Sequence, residues 1–136
     1  MSTEITYMLD TCICVDYLRA KNEKLLRRVR ECSHDVSISA IVAAELFHGA
    51  YHSKRVEENL RDTVELISNF DVVPFDEPEA KAYGQILDSL QRKGQVIGSN
   101  DIMIAATALI RNAVLVTNNT HEFSRIDGLK LDDWTL

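Results

Sequence analysis

The sequence has no apolar run approaching the roughly 20 residues that cross a bilayer. Its first residues, Met1-Ser2-Thr3-Glu4, lack the basic start and long apolar block of an export signal. A cytoplasmic protein without membrane contact is therefore expected. There are only three cysteines, Cys12, Cys14 and Cys32, an odd number that argues for reduced thiols rather than a disulfide framework. The pairs Cys12-x-Cys14 and Cys32-x-His34 are too tightly spaced for the usual zinc sites, so the cysteines read as small core residues. With five glycines, two prolines and no low-complexity tract, disorder is not expected. Neither GxGxxG nor GxxxxGK[ST] occurs, and GxSxG is missing too, so neither a nucleotide-cofactor loop nor a serine-hydrolase elbow is indicated.

What is present is the composition of an ordinary globule, 46% hydrophobic and 26% charged over 136 residues, enough for one substantial core and a single domain, residues 1–136. The net charge of −6 speaks at first sight against a nucleic-acid partner. The cations are unevenly spread, however. Arg19, Lys21, Lys24, Arg27, Arg28 and Arg30 stand against Glu23 alone, a block that fits a solvated helix face as well as a phosphate-facing lip.

Hydrophobic periodicity alternates regularly between strand and helix. A short apolar run, Ile5 to Thr11, ends on Asp10 and opens a helix from Thr11 to Leu18. Asn22 caps a helix from Glu23 to Glu31, His34-Asp35 is a turn, and Val36 to Ser39 is a strand whose last serine caps a helix from Ala40 to Ala50. That helix is apolar nearly all round and is expected to be largely buried. A scaffold helix spans Arg55 to Phe70 with Val56, Leu60, Val64 and Ile67 at helical spacing. Asp71 to Phe75 is a strand, and Glu77 to Lys93 is a long helix with Ala80, Tyr83, Ile86, Leu87 and Leu90 inward, closed by Gly94. After a loop, Asn100-Asp101 leads into a core helix ending at Ile110. Ala113 to Thr117 is a continuously apolar strand that runs into the oxygen-rich end Asn118 to Phe123. Ser124 to Leu129 is a turn, and Lys130 to Trp134 an edge strand. The alternation implies a parallel sheet covered by helices on both faces.

In such folds ligands bind beyond the carboxyl ends of the strands. Asp10 stands at one strand end, Asn118, Asn119 and Glu122 near another, Asp101 in the first turn of a core helix, and Glu45 within an apolar helix. A carboxylate in apolar surroundings costs several kcal/mol unless it is paired or ligating, on the order of the penalties for buried ions. For Glu45 a narrow polar stripe beside His48 is the bland alternative. For Asp10 and Asp101 it is helix capping. Clustered oxygen ligands suit Mg²⁺ or Mn²⁺ better than zinc, and such an ion serves phosphodiester hydrolysis without a covalent protein nucleophile. A phosphoryl-acceptor role for Asp10 lacks support, because Cys12 stands where a second acid is needed.

The segments Tyr7-Met8-Leu9-Asp10-Thr11, Ser37-Ile38-Ser39 to Ala44-Glu45-Leu46, Ile97-Gly98-Ser99-Asn100-Asp101 with Ile104-Ala105-Ala106, and Leu115-Val116-Thr117-Asn118-Asn119 with Glu122-Phe123 and Gly128-Leu129 to Trp134 come in a telling order. Together they resemble the PIN-domain ribonucleases, specifically the VapC toxins of type II toxin–antitoxin pairs, over almost the whole chain. The resemblance implies a three-layer α/β/α sandwich around a parallel sheet of about five strands, a homodimer, and Mg²⁺- or Mn²⁺-dependent endonucleolytic cleavage of RNA. A transfer RNA substrate is implied, an initiator transfer RNA cut in its anticodon loop being one expectation. It carries over Asp10, Glu45 and Asp101 as metal ligands, with Thr11, Thr117 and Asn118 as supporting neighbours. Where many members have Asp after the Thr-Asn of the fourth strand, this chain has Asn119, so Glu122 is expected to supply the fourth acid. A VapB-like antitoxin is implied as partner, forming a higher hetero-oligomer and seated on the helices Thr11 to Leu18, Glu23 to Glu31 and Arg55 to Phe70. The basic face carrying Arg19, Lys21, Lys24, Arg27 and Arg28 then borders either the RNA path or the antitoxin. The alternative is a catalytically degenerate PIN fold that only binds RNA or protein.

Overall fold

The computed structural model describes residues 4–136; the reading of the start as a non-signal segment falls largely on Met1 to Thr3, outside them. Five parallel strands form one sheet: β1 (Tyr7–Leu9), β2 (Val36–Ser39), β3 (Asp71–Val73), β4 (Val114–Val116) and β5 (Lys130–Asp132), in the order β3-β2-β1-β4-β5. The central strand β1 is Tyr-Met-Leu, with Met8 and Leu9 at 2% and 1% exposure, as a strand covered on both faces must be. Among the described residues seven α-helices flank the sheet: α1 (Thr11–Leu18), α2 (Glu23–Glu31), α3 (Ala40–Tyr51), α4 (Val56–Ser68), α5 (Glu77–Lys93), α6 (Ser99–Ile110) and α7 (Thr120–Phe123). Among the described residues no helix is long and apolar enough to cross a membrane.

The chain moves from β1 outward to β2 and β3, then returns to place β4 on the other side of β1. The order thus reverses between β1 and β4, and their carboxyl ends part to leave the crevice where open α/β sheets bind ligands. The backbone amide of Asp10 still donates to Val116 O (2.9 Å) and that of Thr117 to Asp132 O (3.0 Å), so both residues sit on the last rung of the sheet.

Local chemistry sets most boundaries. The side chains of Asn22 and Ser39 accept from the amides of Leu25 and Val42, both at 3.1 Å, as caps. Asp76 and Glu79 form a reciprocal capping box at the start of α5, and Gly94, at φ 67°, ends it. Cys14 lies in the core and the thiols are free, while Cys12 and Cys32 are half-buried at its margin.

Several expectations are corrected. The inward stripe of α4 is Thr63 and Leu66, while Val64 is 55% exposed. On α5 the buried positions are Glu79, Ala82, Ile86 and Leu90; Ala80 is exposed. Both errors have one cause, a polar residue filling a buried slot: Glu79 is admitted because its Oε1 accepts from the Asp76 amide at 2.8 Å. Helix α3 is buried on Val42, Ala43, Leu46 and Ala50 only, and leaves Ala44, His48 and Tyr51 in solvent. Residues 120–123, read as part of a strand end, form the single helical turn α7. The third and last strands also stop sooner than expected, at Val73 and Asp132.

Candidate active site

Asp10 lies at the point where β1 becomes α1. It is the N-cap of α1 with extended backbone (φ −71°, ψ 160°), and its carboxylate is 6% exposed. A cap normally accepts from the second or third helical amide; here Oδ1 takes the Thr11 amide (2.8 Å). Oδ2 takes the Thr117 hydroxyl (2.8 Å) and the Cys12 thiol (3.4 Å). Burial pushes the Asp10 carboxyl up from its ordinary value, against those three hydrogen bonds, which favour the ionised form. The Cys12 thiol is pushed up to about 11, chiefly by burial and then by the Asp10 charge, which leaves it unreactive.

Glu45 approaches from α3. It sits half-exposed rather than enclosed, and the Thr11 hydroxyl donates to its Oε1 at 2.7 Å, so adjacent residues of one turn hold two acids in one cleft. Asp101 enters from the first turn of α6, whose N-cap is Gly98. Its carboxylate has no hydrogen-bond partner among the described residues, so capping does not explain it. A Cβ at position 98 would lie 3.8 Å from Asp101 Oδ2, an ordinary van der Waals contact, so Gly98 stands close beside this carboxylate. Desolvation first, then the charges of Asp10, Glu45 and Glu122, push the Asp101 carboxyl up to about 6.

The loop after β4 supplies the remaining groups. The Asn119 amide nitrogen, Nδ2, donates to Glu122 Oε2 (3.2 Å), and its backbone amide donates to Thr117 Oγ1 (3.0 Å). Thr117 passes the chain on to Asp10. Asn118 is exposed at the rim, and its only interaction in the site is with the Cys12 thiol through its backbone. The sequence did not single out Cys12 as a neighbour of the site; its position two residues after Asp10, on the first helical turn, was the available signal.

The donor set is therefore carboxylate and amide oxygen, hard ligands repelling one another across an open cleft. Among the described residues no three His, Cys, Asp or Glu side chains close into a ready cage for an ion. An ion that keeps most of its own waters and takes one or two carboxylates fits this arrangement, which is how Mg²⁺ is commonly held. The basic block is divided: Arg28 is tied inward, 3.6 Å from Asp132 and 4.9 Å above the Trp134 ring, whereas Arg19 lines a groove that reaches Glu45.

The sequence matches the family model described as PIN domain over residues 7–129. The chain belongs to the PIN-domain family. Within that family it is 37% identical over 131 residues to the tRNA(fMet)-specific endonuclease VapC of Shigella flexneri, covering 96% of this chain and 99% of the relative. It is likewise 37% identical to Ribonuclease VapC2 of Rickettsia felis, covering 94% and 97%. Among solved structures, DNA-bound VapBC from Salmonella typhimurium superposes with a TM-score of 0.92 at 38% identity, covering 96% of this chain and 99% of that one. This PIN protein is thereby placed with the VapC ribonucleases of VapBC toxin–antitoxin systems.

Proposed function

We propose that residues 1–136 act as a single PIN domain that hydrolyses RNA internally with a Mg²⁺ or Mn²⁺ ion held by Asp10, Glu45, Asp101 and Glu122. The observation that carries this reading is the set of three like charges bearing on Asp101, which marks four acids gathered at the sheet's switch point. Carboxylates so arranged repel one another, and a cation among them offsets that repulsion. When bound, such an ion acidifies water and offsets charge on the phosphate oxygens.

The residues of the chain do the rest. Asp10 is fixed by Thr11, Thr117 and Cys12 so that its carboxylate cannot rotate away. Glu45 is steadied by the Thr11 hydroxyl and Glu122 by the Asn119 amide. Asp101, not held by a hydrogen bond among the described residues, is left able to turn its carboxylate toward the ion.

The substrate is proposed to be a transfer RNA, by the name of the Shigella relative. The protein is proposed to act as a homodimer bound and blocked by a VapB-like antitoxin, since its structural neighbours are VapBC complexes. The groove between α1, α3 and α4, with Val15, Leu18 and Leu46 in its lining and Glu45 at its margin, offers an apolar seat for the antitoxin. The test is cleavage of transfer RNA by the purified protein with and without Mg²⁺ or Mn²⁺, and with chelator. Asp10→Ala and Asp101→Asn are each expected to lower the rate at least about 100-fold with the fold retained by circular dichroism. Undiminished cleavage by Asp10→Ala contradicts the mechanism.

A further inference from the structure

Beyond Glu45 the outer face of α3 opens into a shoulder carrying His48, Tyr51 and His52, and Tyr51 is 64% exposed. The two imidazoles, four residues apart and so on successive turns, stack with centroids 5.6 Å apart and planes at 28°. Neither ring is hydrogen-bonded among the described residues. Lys54 and Arg55 follow, both exposed; Arg55 meets Glu58 at 3.5 Å with 79% of its side chain in solvent, a pair too wet to neutralise it. From Leu46 to Val56 the chain has no carboxylate, although its net charge is −6.

We propose that this shoulder binds the RNA substrate next to the scissile phosphate, with unstacked bases on the rings of His48, Tyr51 and His52 and phosphates on Lys54 and Arg55. The proposal rests on the ribonuclease reading of the site and adds where the substrate lies. At about 1.5 Å per residue along a helix, His48 is about 4.5 Å and His52 about 10.5 Å beyond Glu45, so a strand held at Glu45 passes over both. Aromatic faces interleaved with cations are what single-stranded RNA selects, through stacking and backbone contacts. An antitoxin helix would seek a continuous apolar stripe, which the shoulder lacks.

The experiment measures the affinity of a labelled single-stranded RNA by anisotropy, and steady-state cleavage, for the full chain carrying His48→Ala, Tyr51→Ala and His52→Ala singly and together. The triple variant is expected to bind RNA at least about tenfold more weakly. Its KM should rise while kcat stays within about twofold, since binding common to ground and transition states is what is lost. Tyr51→Phe should bind like the parent, because it keeps the ring. Unchanged RNA affinity in the triple variant overturns the proposal. So does unchanged RNA affinity together with a shift in oligomeric state or antitoxin binding, which makes the shoulder a protein interface. If Asp10→Ala abolishes cleavage while the triple variant binds RNA normally, the site reading stands and only this inference falls.

Discussion

At the scale of the residue, the site depends on who donates to whom. Asn119 spends its side-chain amide on Glu122 and its backbone amide on Thr117, which in turn holds Asp10. In the proposed site Asn119 acts through Glu122 as a positioning residue. Glu122→Gln and Asn119→Ala should each weaken Mn²⁺ binding measured by calorimetry, and the double variant should be no weaker than the worse single one. Additive losses in that cycle would make Asn119 an independent ligand. The Asp101 carboxyl, raised to about 6 from an ordinary 3.8, gives a pH signature. The folded protein holds this proton more tightly than the unfolded chain does, so stability conferred by the protonated form is lost as pH rises from about 4 to about 6. Urea unfolding of the metal-free protein should show stability falling across that window, and Asp101→Asn should flatten the fall. Asp10, Asp101 and Glu45 could be picked out in the sequence because acids amid apolar runs are conspicuous. The hydrogen bond that gives Asn119 its task was hidden, because it depends on a helical turn only four residues long.

At the scale of the element, strand and helix order was readable from period alone, and errors arose where tertiary packing overrode it. Composition made α3 look enclosed, yet only Val42, Ala43, Leu46 and Ala50 are fully buried, with Ile41 packed at the core's margin, while Glu45 faces the cleft and His48 and Tyr51 the shoulder. On α5 Ile86 and Leu90 are buried as expected and Tyr83 and Leu87 pack against the core, as Ile67 of α4 does; the misjudged positions are Val64 and Ala80, beside the buried Thr63 and Glu79. Helix α7 could not be found by periodicity, which needs more than one turn to register. Terminators were plain: Gly94 ends α5 with φ 67°, and nothing lies within 4 Å of where its Cβ would be. Gly94→Ala should therefore cost only backbone strain, about 1 kcal/mol, as a lower urea midpoint with unchanged slope. A loss of several kcal/mol would mean that the open space beside Gly94 is wrong.

At the scale of the whole molecule, function follows from strand order. Because β1 is central and β4 returns to its far side, Asp10 and Thr117 end side by side, and α3, α6 and α7 each bring one more acid to the same opening. Residues 35, 91 and 112 positions away from Asp10 thus share a field that no local pattern records. The negative net charge, which at first sight speaks against a nucleic-acid partner, arises in part from this acidic cleft, and of the basic block Arg19 lines a groove that reaches Glu45. In the proposed mechanism this cleft holds a divalent cation. The most direct measurement is the anomalous difference map of a crystal grown with Mn²⁺. A peak is expected in the cleft with carboxylate oxygens of Asp10 and Asp101 among its nearest protein atoms, at about 2.0–2.3 Å or through one bound water. A Mn²⁺ peak elsewhere on the chain, with none in the cleft at saturating ion, would contradict it.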